Sequence, residues 1–260
     1  MKAAITFIRV QLLTNSTLKD VMVQIHTSRT LWIGSDDMSK KPVKKSDSEK
    51  GWMKKRRDNR RMIAPEYHLI VTEGTKTEPN YFGKLKEEIN SRYRDRISIE
   101  IAGIGQGSNT LTLLEKAQNI VSNSPIEYKH VWLVYDKDDF PRDDFDNTYY
   151  KCESLSKQHE AVMYHALWSN ECIEYWFLLH FHLLQSAISR NEYYPKLSEY
   201  LGSKYEKNRD DIYSLLKPHL TTAIKNAKQV AAGNKNLPPS QSTPGTAVYE
   251  IFEKLISYLK

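Results

Sequence analysis

The chain has 260 residues, 40% of them hydrophobic and 27% charged, enough apolar material for one sizeable domain with an appendage, and no run of 18 apolar residues that would span a membrane. Two cysteines, Cys152 and Cys172, are too few for a disulfide framework or a zinc cluster, and the opening stretch reads as lacking a signal-peptide core, so the cytoplasm is the expected compartment. The net charge of +6 is unevenly spread: residues 40–61 hold eleven Lys or Arg against three acids, a local +8, which leaves −2 for everything else.

Residues 1–37 mix β-prone and polar stretches without a strong period, and the composition changes sharply at Met38. We expect a poorly ordered extension or a mis-set start, Met38 and Met53 being alternative first residues. Residues 38–62 form a basic arm in which Lys54, Lys55, Arg56, Arg57, Arg60 and Arg61 are candidate phosphate contacts. A solvated tail is the alternative reading.

A βα rhythm starts near residue 67. Tyr67 to Thr72 reads as an apolar strand ending at Glu73-Gly74, and Thr77-Glu78-Pro79 reads as a helix start with a hydroxyl cap, for a helix of about 78–91. Lys76 stands where a phosphate could be met. The alternating stretch 97–101 is a half-buried strand, followed by Gly103, Gly105 and Gly107, a spacing unlike the dinucleotide fingerprint, and then a helix to about 122.

His130 to Tyr135 is an apolar run without Pro or Gly, as in a strand buried on both faces, and it runs into Asp136, Asp138 and Asp139. Alternate residues of a strand share a face, so Asp136 and Asp138 can point the same way, where a divalent cation would offset their repulsion. An acidic turn is the bland alternative. In open α/β sheets strand ends gather on one edge, which would bring Glu73 to Asp136 and Asp138 as an oxygen-rich Mg²⁺ or Mn²⁺ site, with Asp139 beside it.

A helix of about 145–158 and a fourth strand, 161–168, come next. Ser169-Asn170 then reads as the cap of an apolar helix from Glu171 to about Leu184, carrying Glu174 as a candidate carboxylate and His180 as a candidate histidine. Helices are expected at about 191–202, 205–217, 219–232 and 247–259, with a Pro, Gly and Ser loop at 234–245. The pattern implies an α/β fold: a mostly parallel four-stranded sheet with helices on both faces over 63–185, and a helical C-terminal region, 186–260, packed on it.

Leu69-Ile70-Val71-Thr72-Glu73-Gly74-Thr75-Lys76-Thr77-Glu78-Pro79-Asn80-Tyr81-Phe82 resembles the start of the RloB-like family. The likeness continues through Val131 to Phe140, Ser169 to Phe181 and Ser242 to Val248. The resemblance implies a TOPRIM-like fold, as in topoisomerases, primases and OLD-type nucleases, with metal ligands from a Glu after the first strand and an Asp-x-Asp after the third, here Glu73, Asp136 and Asp138. It further implies a metal-dependent nuclease acting on RNA (tRNA included) or DNA in anti-phage defence, with an ATPase partner. A non-catalytic module that binds nucleic acid or that partner is the competing expectation, and another phosphoryl transfer ranks behind both. The sequence leaves the oligomeric state open.

Overall fold

The computed structural model describes residues 65–105, 110–137, 142–158 and 161–260. The expectations for the extension and the basic arm, Lys54, Lys55, Arg56, Arg57, Arg60 and Arg61 among them, lie outside the described residues, as do Asp138 and Asp139.

Four strands run parallel: β1 (Glu66–Thr72), β2 (Ile97–Gly103), β3 (Tyr128–Asp136) and β4 (Met163–Asn170). Helices α1 (Thr77–Tyr93), α2 (Thr110–Asn123) and α3 (Arg142–Gln158) connect them. The C-terminal part supplies α4 (Glu174–Leu178), α5 (Arg190–Leu201), α6 (Ile212–Leu216), α7 (Leu220–Gly233) and α8 (Tyr249–Leu255). A two-residue strand, β5 (Gly245–Thr246), pairs antiparallel with the end of β4, so the sheet has five strands in the order β2-β1-β3-β4-β5.

The sheet is buried on both faces because the inner strands are apolar at both parities. Leu69, Val71, Val131, Leu133 and Tyr135 face α2 and α3, whereas Ile70, Trp132, Val134 and Leu167 face α1 and the C-terminal helices. The predicted helical region therefore covers one of the two layers. Asp136 shares the parity of Trp132 and Val134.

Three local expectations are corrected. The helix expected from Glu171 to Leu184 is the five-residue α4; beyond it the backbone tightens, His180 N donating to Phe177 O and Phe181 N to Leu178 O. Ser169 and Asn170 are not its cap but the last residues of β4: Asn170 Nδ2 donates to Pro239 O, Ser240 O and Thr243 Oγ1, and Ser169 Oγ meets Thr246 Oγ1. Thr77 does not cap α1 either, since its hydroxyl donates to Asn208 Oδ1 at 2.9 Å. In the C-terminal part, only Ile212–Leu216 of the stretch expected as helix from 205 is α-helical.

Candidate active site

Parallel pairing sets the ends of β1 and β3 side by side, with Thr72 opposite Val134 and Glu73 N donating to Val134 O at 3.1 Å. Glu73 and Asp136 consequently line one cavity of about 400 Å³, which they share with Lys76, Glu78 and Lys207. The loop after β1 is held in shape by its own bonds: Thr72 Oγ1 donates to Gly74 O at 2.9 Å, and Ile104 N to Thr72 O at 3.0 Å. The opposite wall comes from the chain before α6. Asn208 stands there in a left-handed backbone conformation (φ 76°), receives the Thr77 hydroxyl, and accepts from Asn80 Nδ2 through its carbonyl at 3.1 Å.

Glu78 was read in the sequence only as part of a helix start. It is buried, and its carboxylate lies over the Cα of Gly74, where an added Cβ would stand 2.0 Å from Glu78 Oε2. Gly74 thus admits a third carboxylate to the cavity by having no side chain. Three carboxylates and two ammonium groups thus share the walls of one cavity, although among the described residues the acidic and histidine side chains whose ligand atoms cluster within 4.8 Å are another set, at the far end of the sheet.

Glu174 and His180 do not line this cavity. Glu174 is nevertheless close behind it: it accepts from the Tyr205 hydroxyl at 3.3 Å, and it and Asp136 both act on the Cys172 thiol, which burial first and these two carboxylates next push well above its ordinary range. His180 lies past the end of α4, in the apolar layer. Its Nδ1 donates to Trp176 O at 3.0 Å, its ring meets the Trp176 ring edge to face at 4.8 Å, and burial holds it neutral with a pKa of about 3. Lys76 is exposed on the cavity wall.

The family model described as RloB-like protein matches residues 68–255, well over half of the chain and all of this site. The chain belongs to the RloB-like family. Among curated proteins nothing matches it, and the same is true of solved structures.

This RloB-like chain carries a second polar cluster at the other end of the sheet. Asp136 lies six residue steps along β3 from His130, roughly 20 Å in an extended strand. Glu66, His68 and His130 could hold a metal ion there, one ligand atom of each lying within 4.8 Å of the others. In the arrangement seen, Glu66 Oε1 is met by His68 Nε2 at 3.0 Å, His130 Nε2 at 3.2 Å and Lys254 Nζ at 3.1 Å. Trp132 Nε1 donates to His68 Nδ1 at 3.1 Å, which places the proton of neutral His68 on Nε2, facing Glu66. His165 Nε2 lies 2.9 Å from His130 Nδ1 and its ring stacks on Trp132 at 3.9 Å. Burial is the main reason that His68, His130 and His165 all fall to about 4. An ion would have to replace the His68 and His130 protons and move Lys254. These histidines belong to three separate apolar runs of the sequence, and the strand register joins them.

Proposed function

We propose that the cavity at the ends of β1 and β3 binds Mg²⁺ or Mn²⁺ through Asp136, Glu73 and Glu78, and that the chain is a metal-dependent nuclease. The observation that carries this reading is the meeting of Glu73 and Asp136, from separate strands, in one cavity with Lys76 and Lys207. The ion would neutralise phosphate charge and stabilise the leaving oxygen. Lys76 and Lys207 hold the phosphate from the cavity walls, as point charges that do not read sequence. Glu73, at the mouth of the loop, takes the proton of the attacking water, a role for which its placement at the strand end leaves it half-buried and within reach of solvent. Asp138 and Asp139, two and three residues beyond Asp136 in the sequence, complete the oxygen set in this reading. Glu174 stays behind the cavity with the Tyr205 hydroxyl, and His180 serves the packing of the apolar layer.

Family membership supports the wider reading, a TOPRIM-related effector of anti-phage defence that acts on RNA or DNA in the cytoplasm, with an ATPase as partner. The test is cleavage by the purified chain. Total RNA and plasmid DNA are incubated with it in Mn²⁺ and in EDTA, and the ends of any fragments are sequenced. We expect Mn²⁺-dependent fragments that Glu73→Gln and Asp136→Asn both abolish. Cleavage that survives either substitution would exclude this cavity as the active site.

A further inference from the structure

A different concavity, of about 380 Å³, opens beside the outer edge of β4, between α3 and the 234–250 segment. One side is aromatic and acidic, with Tyr149, Tyr150, Trp168, Tyr249, Glu153 and Glu250, and the loop opposite brings one cation, Lys235, to the rim. Tyr149 and Tyr150 meet edge to face at 5.4 Å, and the Tyr149 hydroxyl donates to Glu153 Oε1 at 3.0 Å.

The far wall is fixed before any ligand arrives. Ser240 donates to the Asp146 carboxylate from its backbone N at 2.8 Å and from its hydroxyl at 2.6 Å, and Asn234 Nδ2 donates to Pro244 O at 2.9 Å. With the three bonds from Asn170, these clamp the 234–246 loop onto α3 and β4. At Gly245 a Cβ would stand 2.6 Å from Ser242 O and 3.1 Å from the Trp168 ring, so the chain turns against the indole with no room for a side chain.

The field inside is negative. The Glu250 side chain is exposed at the mouth of the concavity, and the protein crowded around it first, then the like charges of Glu253 and Glu153, raise its carboxyl to about 7. Aromatic faces are electron-rich as well. Two carboxylates against the single ammonium of Lys235 leave these walls net negative, which favours a flat organic cation over an anion. A guanidinium fits both features, since its plane stacks on rings and its fork of N–H donors matches a carboxylate.

We propose that this cavity is a guanidinium-binding site, in which the cation lies against the aromatic walls and donates to Glu250 and Glu153. The proposal is independent of the nuclease reading and concerns the opposite charge preference. The guanidinium can come from a small free molecule or from an arginine side chain in a polypeptide, and two probes separate these sources.

Isothermal titration of the full chain with agmatine, and separately with the end-blocked tripeptide Gly-Arg-Gly, tests it. Saturable binding of at least one probe is expected, agmatine alone indicating a free small cation and a tighter tripeptide indicating an arginine side chain. Because the ligand selects ionised Glu250, whose carboxyl is raised, binding should tighten as the pH is raised from 5 to 8. Glu250→Gln should remove that pH dependence and weaken binding at least tenfold. Tyr150→Ala, at a half-exposed position that does not threaten the fold, should weaken it several-fold. The proposal is overturned by absence of saturable binding to either probe at millimolar concentration, by binding that rises toward low pH, by affinity that neither substitution changes, or by equal binding of the citrulline counterpart of the tripeptide.

Discussion

Asp136 is held where its charge is costly. It is buried at the end of β3, it shares a cavity with Glu73 and Glu78, and its field adds to that of Glu174 on the Cys172 thiol. Removing one negative charge from such a group relieves repulsion as it removes a ligand. Asp136→Asn should therefore leave the melting temperature unchanged or raise it by about a degree or two, while cleavage falls at least ~100-fold. The melting temperature of the parent protein should rise on adding Mg²⁺ or Mn²⁺ and return with EDTA, and that of Asp136→Asn should ignore both. An equal response in the variant would place the bound ion elsewhere. Gly74→Ala asks a narrower question: its methyl would take the place of the Glu78 carboxylate. If Glu78 serves the cavity, Gly74→Ala and Glu78→Gln should lower cleavage to a similar degree, and the double variant should lose little more, because both remove one carboxylate from one place. Glu73 and Asp136 were legible in the sequence because an acid directly after an apolar strand has a determined position. Glu78 was not, since its direction depends on the empty side of Gly74, and His180 stands away from the cavity because the helix expected to carry it ends two residues earlier.

At the scale of elements, the parallel core follows from its strands. Apolar runs of strand length separated by helical periods leave few other arrangements, and β1 to β4 lie close to where the patterns put them. The departures begin at the end of β4. The run from Cys172 to Leu184 is apolar except for Glu174, His180 and His182, which form no polar face at helical spacing from which a length could be read, and α4 is buried on every side. What fixes the chain there is Asn170, whose side-chain amide serves the backbone of Pro239 and Ser240 and the hydroxyl of Thr243. Those partners lie some seventy residues away in the chain, beyond the reach of any local pattern. Asn170→Ala leaves two carbonyls and a hydroxyl without this donor at a buried position, a loss of about 1–3 kcal/mol in unfolding free energy, read by urea denaturation. The same variant should also loosen the 234–246 loop, with faster amide exchange at Ser240 and Ser242. Destabilisation without that local change would mean that the clamp does not depend on Asn170.

The two ends of the sheet differ chemically, with carboxylates and lysines at the carboxyl ends of the strands and imidazoles gathered around Glu66 at the other. The imidazole end makes a prediction about acid stability that the acidic cavity does not share. His68, His130 and His165 sit at about 4 in the folded chain and near 6.5 when unfolded, burial being the main cause in each. The groups facing them include Glu66, whose charge opposes the shift at His68 and His130, and Lys254, which adds to it at all three; Lys129 adds to it at His130. A depressed histidine pKa means that the unfolded chain binds the extra protons between these two values. Stability is then fully present above about pH 6.5 and is lost as pH falls toward 4. The melting temperature should fall steeply over that interval, and His165→Phe, which keeps a ring against Trp132 but removes one titrating group, should make the fall shallower. Zn²⁺ separates the two states of the cluster. If the His68 and His130 nitrogens donate to Glu66 as drawn, with Lys254 alongside, micromolar Zn²⁺ should leave the melting temperature at pH 7 unchanged. A rise of several degrees that Glu66→Gln abolishes would show instead that the ion displaces both protons and Lys254, and that the cluster is a metal site.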